Sequence, residues 1–250
     1  IYMMAISLLS GCTGNFEDYN KNPYGPLSSD LLGDNVETGI LIKAMFPAIV
    51  QGQQNNSQMI DQMIGLEYGG HASMINPWGN SGNYYTYNPR IGWYGNTFDT
   101  SMPQIYSNFF QIKDKTGGKG VVYAWAEVLR VAASLKISDC YGPIPYSKVG
   151  AANAIKSPYD SQQAVYAKML EDLDNIITVL GKFGNQSFSS SADRIYNGNT
   201  SAWYKFANSL KLRMAMRTCY VAGFNVNGKT SQQLAEEAVA AGVMTAATDG

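Results

Sequence analysis

Apolar positions recur along this chain at helical spacing, and no long alternating series predicts a large sheet. Val36, Ile40, Ala44 and Ala48 predict a helix over 35–50, kinked or ended by Pro47. Met59, Ile60, Met63, Ile64 and Leu66 predict a second helix over 53–68, and a third is expected over 101–113. Val122, Trp125, Ala126, Leu129 and Ala133 form the stripe of a fourth, over 121–138. A fifth opens at Asp160, a candidate cap with Gln163 as its reciprocal partner. It continues through Val165, Met169, Leu173, Ile176 and Leu180, and Gly181 fits a left-handed stop. A sixth covers 200–220 and a seventh 230–242.

The sixth helix speaks for the architecture. Trp203, Phe206, Leu210 and Met214 make one stripe, and Leu212, Met216 and Tyr220 make another. A helix apolar on two sides is packed between neighbours, so Lys205, Lys211, Arg213 and Arg217 must snorkel or pair. Starts of the fourth to seventh helices lie about 30 to 40 residues apart, the step of helical repeat arrays. The expected fold class is therefore mostly α, a helical-repeat solenoid with long, irregular, aromatic-rich loops.

Two stretches break the helical pattern. At the start, the uncharged apolar run Ile1–Leu9 is followed by small residues, Ser10 and Gly11, and then by Cys12. That order is what a bacterial lipoprotein signal looks like. A short apolar run enters the export machinery, small residues admit a peptidase, and the Cys12 thiol then carries lipid. The expected organisation is a truncated signal over 1–11, a tether and extended segment over 12–34, and a helical domain over 35–250. The start at Ile1, without a basic region, points to missing N-terminal residues. No later stretch has the ~18 apolar residues needed to span a bilayer, so anchoring is expected through lipid alone.

The second break, 69–100, is rich in Gly, Asn and Tyr. A long loop inside a helical domain is more often functional. Sugar rings stack their C–H faces on Trp and Tyr, and their hydroxyls pair with amides and phenols. Large side chains with few rotatable bonds lose little entropy in doing so. Trp78, Asn80, Tyr84, Tyr85, Trp93 and Tyr94 are the candidate ligand-binding residues. The competing reading is that they pack the loop onto the helices or touch another protein.

Composition narrows the choice. The net charge of -1 disfavours nucleic acid as a partner. Charged residues make up 15%, against about 25% in ordinary soluble domains, while 17 Tyr and 4 Trp suit wet binding surfaces. With Cys12 lipidated, Cys140 and Cys219 remain and are expected to stay free. No catalytic residue, metal site or cofactor is expected. His71 is the lone histidine, which excludes a multi-His metal site, and neither a Gly-x-Ser-x-Gly elbow nor a Cys-x-x-Cys pair occurs. Gly117-Gly118-Lys119-Gly120 lacks phosphate-loop spacing and reads as a turn. A glycosidase needs two carboxylates across a cleft. Glu171, Asp172 and Asp174, with Lys168 beside Asp172, are instead expected on a solvated helix face, as are Glu236 and Glu237.

Three segments carry a family resemblance: Phe16-Glu17-Asp18-Tyr19-Asn20-Lys21-Asn22-Pro23, Ser138-Asp139-Cys140-Tyr141-Gly142-Pro143-Ile144-Pro145-Tyr146-Ser147, and the run from Trp203 to Arg217. In this order, with Ser157-Pro158-Tyr159-Asp160 between the last two, they resemble the SusD/RagB family, surface lipoproteins of Bacteroidetes nutrient-uptake systems. The resemblance implies tetratricopeptide-like helix pairs and a lipid-anchored position on the outer membrane, facing outside. It implies a SusC-like TonB-dependent transporter as partner, an oligosaccharide or other nutrient as ligand, and no enzymatic step. Family members are longer, so a missing C-terminal part is also expected. The motif from Asp139 to Ser147 is expected to be a rigid turn, with the Asp139 carboxylate accepting backbone N–H groups. Asn208, Lys211 and Arg213 are expected to tie helices together. Two alternatives stand beside glycan binding: an adaptor that gates the transporter without its own ligand site, and a surface glycoside hydrolase.

Overall fold

In chain order the helices are α1 (Val36–Met45), α2 (Gln53–Leu66), α3 (Asn96–Thr116), α4 (Gly120–Tyr141), α5 (Gln162–Lys182), α6 (Thr200–Thr218) and α7 (Ser231–Ala241). They come from a computed structural model that describes residues 36–76, 84–90, 92–151, 155–184, 189–246 and 249. Contacts separate Ile1–Asn35 from a unit spanning Val36–Gly250, and Cys12 and the proposed tether lie outside the described residues. From α3 to α7 each helix packs on the next, while α1 lies on α3, and α2 touches α3 and α4. This is the one-dimensional stacking of a helical array.

The apolar run at 121–138 becomes the axis of the array. Nearly every residue of α4 from Ala124 to Ser138 is buried, so neighbours pack on it from all sides, over polar and apolar positions alike. Around it Phe46, Trp125 and Trp203 form an aromatic cluster. Their ring centroids lie 6.2 Å (Phe46–Trp125), 6.3 Å (Phe46–Trp203) and 5.7 Å (Trp125–Trp203) apart. Each Trp removes about 150–250 Å² from water, an upper bound of about 4–6 kcal/mol at ~25 cal/mol/Å².

Charge is built into this core. The Arg130 guanidinium donates to Glu127 and Asp172, both at 2.7 Å, and lies over the rings of Phe109 (4.9 Å) and Tyr146 (4.4 Å). Tyr146 donates its hydroxyl to the same Asp172 oxygen at 2.8 Å, and Lys168 meets the other at 2.9 Å. Further along, buried Lys211 of α6 bridges Asp174 of α5 (2.6 Å) and Glu237 of α7 (3.0 Å). The solvated face expected for Asp172, Asp174 and Glu237 is therefore an inter-helix ion network. The reason is geometric: each carboxylate points at a cation on the neighbouring helix, which mid-helix position alone does not reveal.

Other expectations are corrected in detail. On α1 the buried side is Thr38, Gly39, Ile42 and Met45, whereas Val36 and Ile40 are exposed. α1 ends at Met45, and Pro47 sits in a short 3-10 turn over Phe46–Ala48. On α6 the stripe containing Trp203 and Met214 is buried, but Met216 and Tyr220 are exposed, and the second contact face uses Ala207, Asn208, Lys211 and Ala215. The cap of α5 is Ser161, accepting from the Ala164 N–H, not Asp160. α5 runs through Gly181 to Lys182. Gly181 serves close packing instead: a Cβ there would lie 3.2 Å from the Tyr204 ring of α6. Between α6 and α7 a small hairpin pairs Asn225–Val226 with Lys229–Thr230. Its turn residues Asn227 and Gly228 both have positive φ, 51° and 78°, as the Asn-Gly hairpin turn requires. Thr230 and Gln233 then form a capping box for α7.

Candidate functional site

The chain between α2 and α3 builds a small core of its own. Met59 and Met63 of α2 bury against Tyr84, with Ile64, Tyr68, Met74 and Trp93 packed around them. α2 starts with a kink, for Gln54 and Asn55 leave helical geometry and Asn55 takes φ 66°. Asn56 follows and hooks α2 to the start of α3. Its side-chain oxygen accepts from the Asn96 amide at 2.9 Å, and its carbonyl accepts from the Thr97 hydroxyl at 3.2 Å. α3 begins at Asn96, so the irregular stretch is shorter than the expected 69–100.

Aromatic rings cover this small core in two layers. Tyr84 is fully buried, with its centroid 6.0 Å from that of Tyr68. Its place is under the loop, which corrects its assignment as a ligand-facing ring. Burial raises the Tyr84 phenol above its usual range, with Tyr68 and Glu67 adding to the effect. Above it, Tyr68 and Tyr87 lie 4.7 Å apart, and the Tyr87 hydroxyl donates to the Tyr68 carbonyl at 3.4 Å. Tyr85, Tyr87 and Tyr94 are exposed by 41%, 69% and 45%. Trp93 is half-buried, with the Arg90 guanidinium 4.6 Å from its ring centroid. Of the six candidates, the structure brings Tyr84, Tyr85, Trp93 and Tyr94 into one region. Trp78 and Asn80 lie outside the described residues. Tyr87 was not among the candidates, although its place in Tyr85-Thr86-Tyr87 gave a signal, and it is the most exposed of these rings.

The loop is held from both sides. Glu67, next after α2, accepts the Tyr85 backbone N–H; burial raises its carboxyl, and this bond partly offsets the rise. From the other side the Tyr141 hydroxyl donates to the Tyr94 carbonyl at 2.5 Å. Burial lifts the Tyr141 phenol to about 12, so it stays a hydrogen-bond donor at any ordinary pH. Its ring meets Phe98 edge-on at 5.7 Å, and Phe98 stacks on Tyr159 at 6.3 Å.

Tyr141 closes α4, where the turn expected for Asp139–Ser147 is seen. Gly142 takes φ 76° and donates its N–H to the Ser138 carbonyl at 2.8 Å. The carboxylate that accepts backbone N–H groups there is Asp160, not Asp139. Asp160 accepts from Tyr146 N (3.1 Å), Ser147 N (2.7 Å) and the Ser147 hydroxyl (2.8 Å). Burial works to raise the Asp160 carboxyl, but these bonds outweigh it and hold it below its usual value. Asp139 instead accepts the Tyr166 hydroxyl and pairs with Arg217 at 3.0 Å. Asp139 thus ties α4 to α5 and α6, since its side chain faces the array and not the turn. Among the described residues no cluster of His, Cys, Asp and Glu could hold a metal ion, and no helix is long and apolar enough to cross a membrane.

Comparison with known proteins is decisive here. The model of the SusD-like family, described as the SusD and RagB outer membrane lipoproteins, matches residues 18–250. The chain belongs to the SusD-like family. Family membership makes it an outer-membrane lipoprotein. A solved SusD homologue from Bacteroides ovatus is 62% identical with a TM-score of 0.78, over 87% of this chain and 44% of its own. A SusD-like protein from Bacteroides thetaiotaomicron is 32% identical with a TM-score of 0.74, over 85% and 43%. A chitin-binding SusD homologue from Flavobacterium johnsoniae is 29% identical with a TM-score of 0.75, over 85% and 45%. This SusD-like chain therefore spans less than half the length of these relatives. A search of curated proteins found no match.

Proposed function

We propose that this SusD-like protein binds glycans at the cell surface without turning them over, and passes them to a SusC-like TonB-dependent transporter. Lipid on Cys12 holds it to the outer membrane beside that partner. The observation that carries the reading is the tyrosine platform: Tyr85, Tyr87 and Tyr94 present exposed rings on a loop pinned by Glu67, Asn56 and Tyr141. Rings held this way keep their geometry before ligand arrives, which spares ordering entropy on binding. Trp93 flanks the platform, and Trp78 and Asn80 belong to the same loop. A chitin-binding relative supports a sugar as ligand. Asp172, Asp174 and Glu237 are engaged with cations of neighbouring helices, which supports binding over hydrolysis.

The test is calorimetry against a glycan panel that includes chitin oligosaccharides, with chromatography of the incubated sugars. Saturable binding with unchanged sugars is expected, weakened by Tyr85→Ala and Tyr94→Ala. Product formation would move the protein to the hydrolases. Transporter gating with no glycan binding would favour the adaptor.

A further inference from the structure

Arg90 stands apart in the chemistry of the platform loop. From Tyr68 to Phe98 the sequence holds no Asp or Glu, and Arg90 is its single Lys or Arg. A guanidinium stays protonated at any ordinary pH, so the loop carries a fixed positive charge. The acids that flank the loop do not cancel it. Glu67 accepts the Tyr85 N–H, and Asp99 lies in the first turn of α3. Among the described residues Arg90 has no ion pair with either.

Local geometry fixes where that charge sits. The Trp93 N–H donates to the Arg90 carbonyl at 3.1 Å, closing a turn. The third residue of the turn, Gly92, takes φ 88°, a conformation in which turns favour glycine. The Arg90 guanidinium lies 4.6 Å from the centroid of the Trp93 ring. Arg90 is exposed, and its side chain makes no hydrogen bond or ion pair with any described residue. Its five N–H donors, arranged in a planar fork, are therefore left for solvent or a ligand. A cation held in place by a turn and a ring loses little freedom when a ligand arrives.

Sugar hydroxyls are neutral and meet the phenols and amides of the loop without help from a cation. A uronic-acid carboxylate or a sulfate ester is different. Two of its oxygens match the guanidinium fork through parallel N–H···O bonds, roughly twice as strong as neutral ones. We propose that Arg90 makes the platform selective for acidic glycans, pairing with a sugar carboxylate or sulfate while Tyr85, Tyr87 and Tyr94 stack the rings. This inference rests on the glycan-binding reading of the loop and names its substrate class.

Calorimetry tests it, with oligosaccharides of galacturonan, alginate, glucuronoxylan and chondroitin sulfate, each beside its carboxyl-reduced or desulfated form. At least one acidic member should bind about tenfold or more tightly than its neutralised form. Rising salt should narrow that gap. Arg90→Gln should abolish it, and Arg90→Lys, which keeps the charge without the fork, should retain only part of it. Loss of the gap on carboxyl reduction assigns the pairing to a uronate, and loss on desulfation assigns it to a sulfate. Acidic forms that bind no tighter than neutralised ones would overturn the proposal and leave the platform as a site for neutral glycans. Arg90→Gln weakening both forms alike would also overturn it, because the arginine would then only support Trp93. Binding of none of these sugars, nor of chitin oligosaccharides, would overturn the glycan reading and this inference with it.

Discussion

Arg130→Met would remove the charge at the centre of the array. Arg130 is 7% exposed, and the side chains of its partners Glu127 and Asp172 are 11% and 12% exposed. Without the guanidinium, two buried carboxylates face one another, and Lys168 remains on the far oxygen of Asp172. Breaking a buried ion pair from one side costs about 3–5 kcal/mol. The lost stacking over Phe109 and Tyr146 adds on the order of 1 kcal/mol. These contributions overlap, so about 4–5 kcal/mol is the expected destabilisation. For a unit of this size each kcal/mol moves the melting temperature by about 2–4 °C, which gives a drop of roughly 8–20 °C in a calorimetric scan. Adding Glu127→Leu and Asp172→Leu should restore much of the loss, because a buried triad replaced by apolar groups of similar volume is often neutral or better. A drop below about 1 kcal/mol for Arg130→Met would refute the reasoning. It would mean that the carboxylates find water or protons as easily as they find Arg130.

Three other predictions follow from local geometry. Gly150→Ala should destabilise by about 2–4 kcal/mol in urea titration, because φ is +73° and a Cβ would lie 2.4 Å from the Phe110 ring. Asp160 is held below its usual value of 3.8, so it stabilises the fold above that pH and loses the contribution as pH falls through its lowered value. Asp160→Asn should thus melt lower than the parent at pH 6, with the gap narrowing toward pH 2–3; a constant gap would remove Asp160 from the acid response. Asn56→Ala should speed amide exchange across 84–96 while α5 and α6 keep their protection, because it cuts the hook between α2 and α3. Unchanged loop exchange would show that the small core holds the loop without Asn56.

The array was legible because helical periodicity is written into Trp125, Leu129 and Ala133 and into Val165, Met169 and Leu173, all of which are buried, although α4 is buried on its other sides too. α1 misled for a physical reason: Val36 and Ile40 share a stripe, but the buried face is the one with Thr38, Gly39, Ile42 and Met45, where small Gly39 allows close approach of the chain before α6. A Cβ on Gly39 would lie 3.1 Å from that of Ala192. Ion pairs between helices were illegible, since Lys211 meets Asp174 and Glu237 from helices far apart in sequence. For the candidate site, composition located the loop and most of its rings. It did not separate Tyr84, which is buried, from Tyr85 and Tyr87, which face outward, because neighbours in an irregular loop follow no fixed period. The turn after α4 was legible from Gly142, Pro143 and Pro145, but its accepting carboxylate, Asp160, was not, and its role in clamping Tyr94 through Tyr141 emerged only in three dimensions.

Glycan binding by the loop between α2 and α3 is the central claim. Calorimetric titration of the protein and of its Tyr85→Ala/Tyr94→Ala variant with the best ligand from a glycan panel tests it most directly. Two stacked rings contribute on the order of 1 kcal/mol each, so the account predicts affinity about tenfold or more weaker in the variant, with the melting temperature unchanged. Equal affinity in the two proteins, or no glycan bound by either, would contradict it.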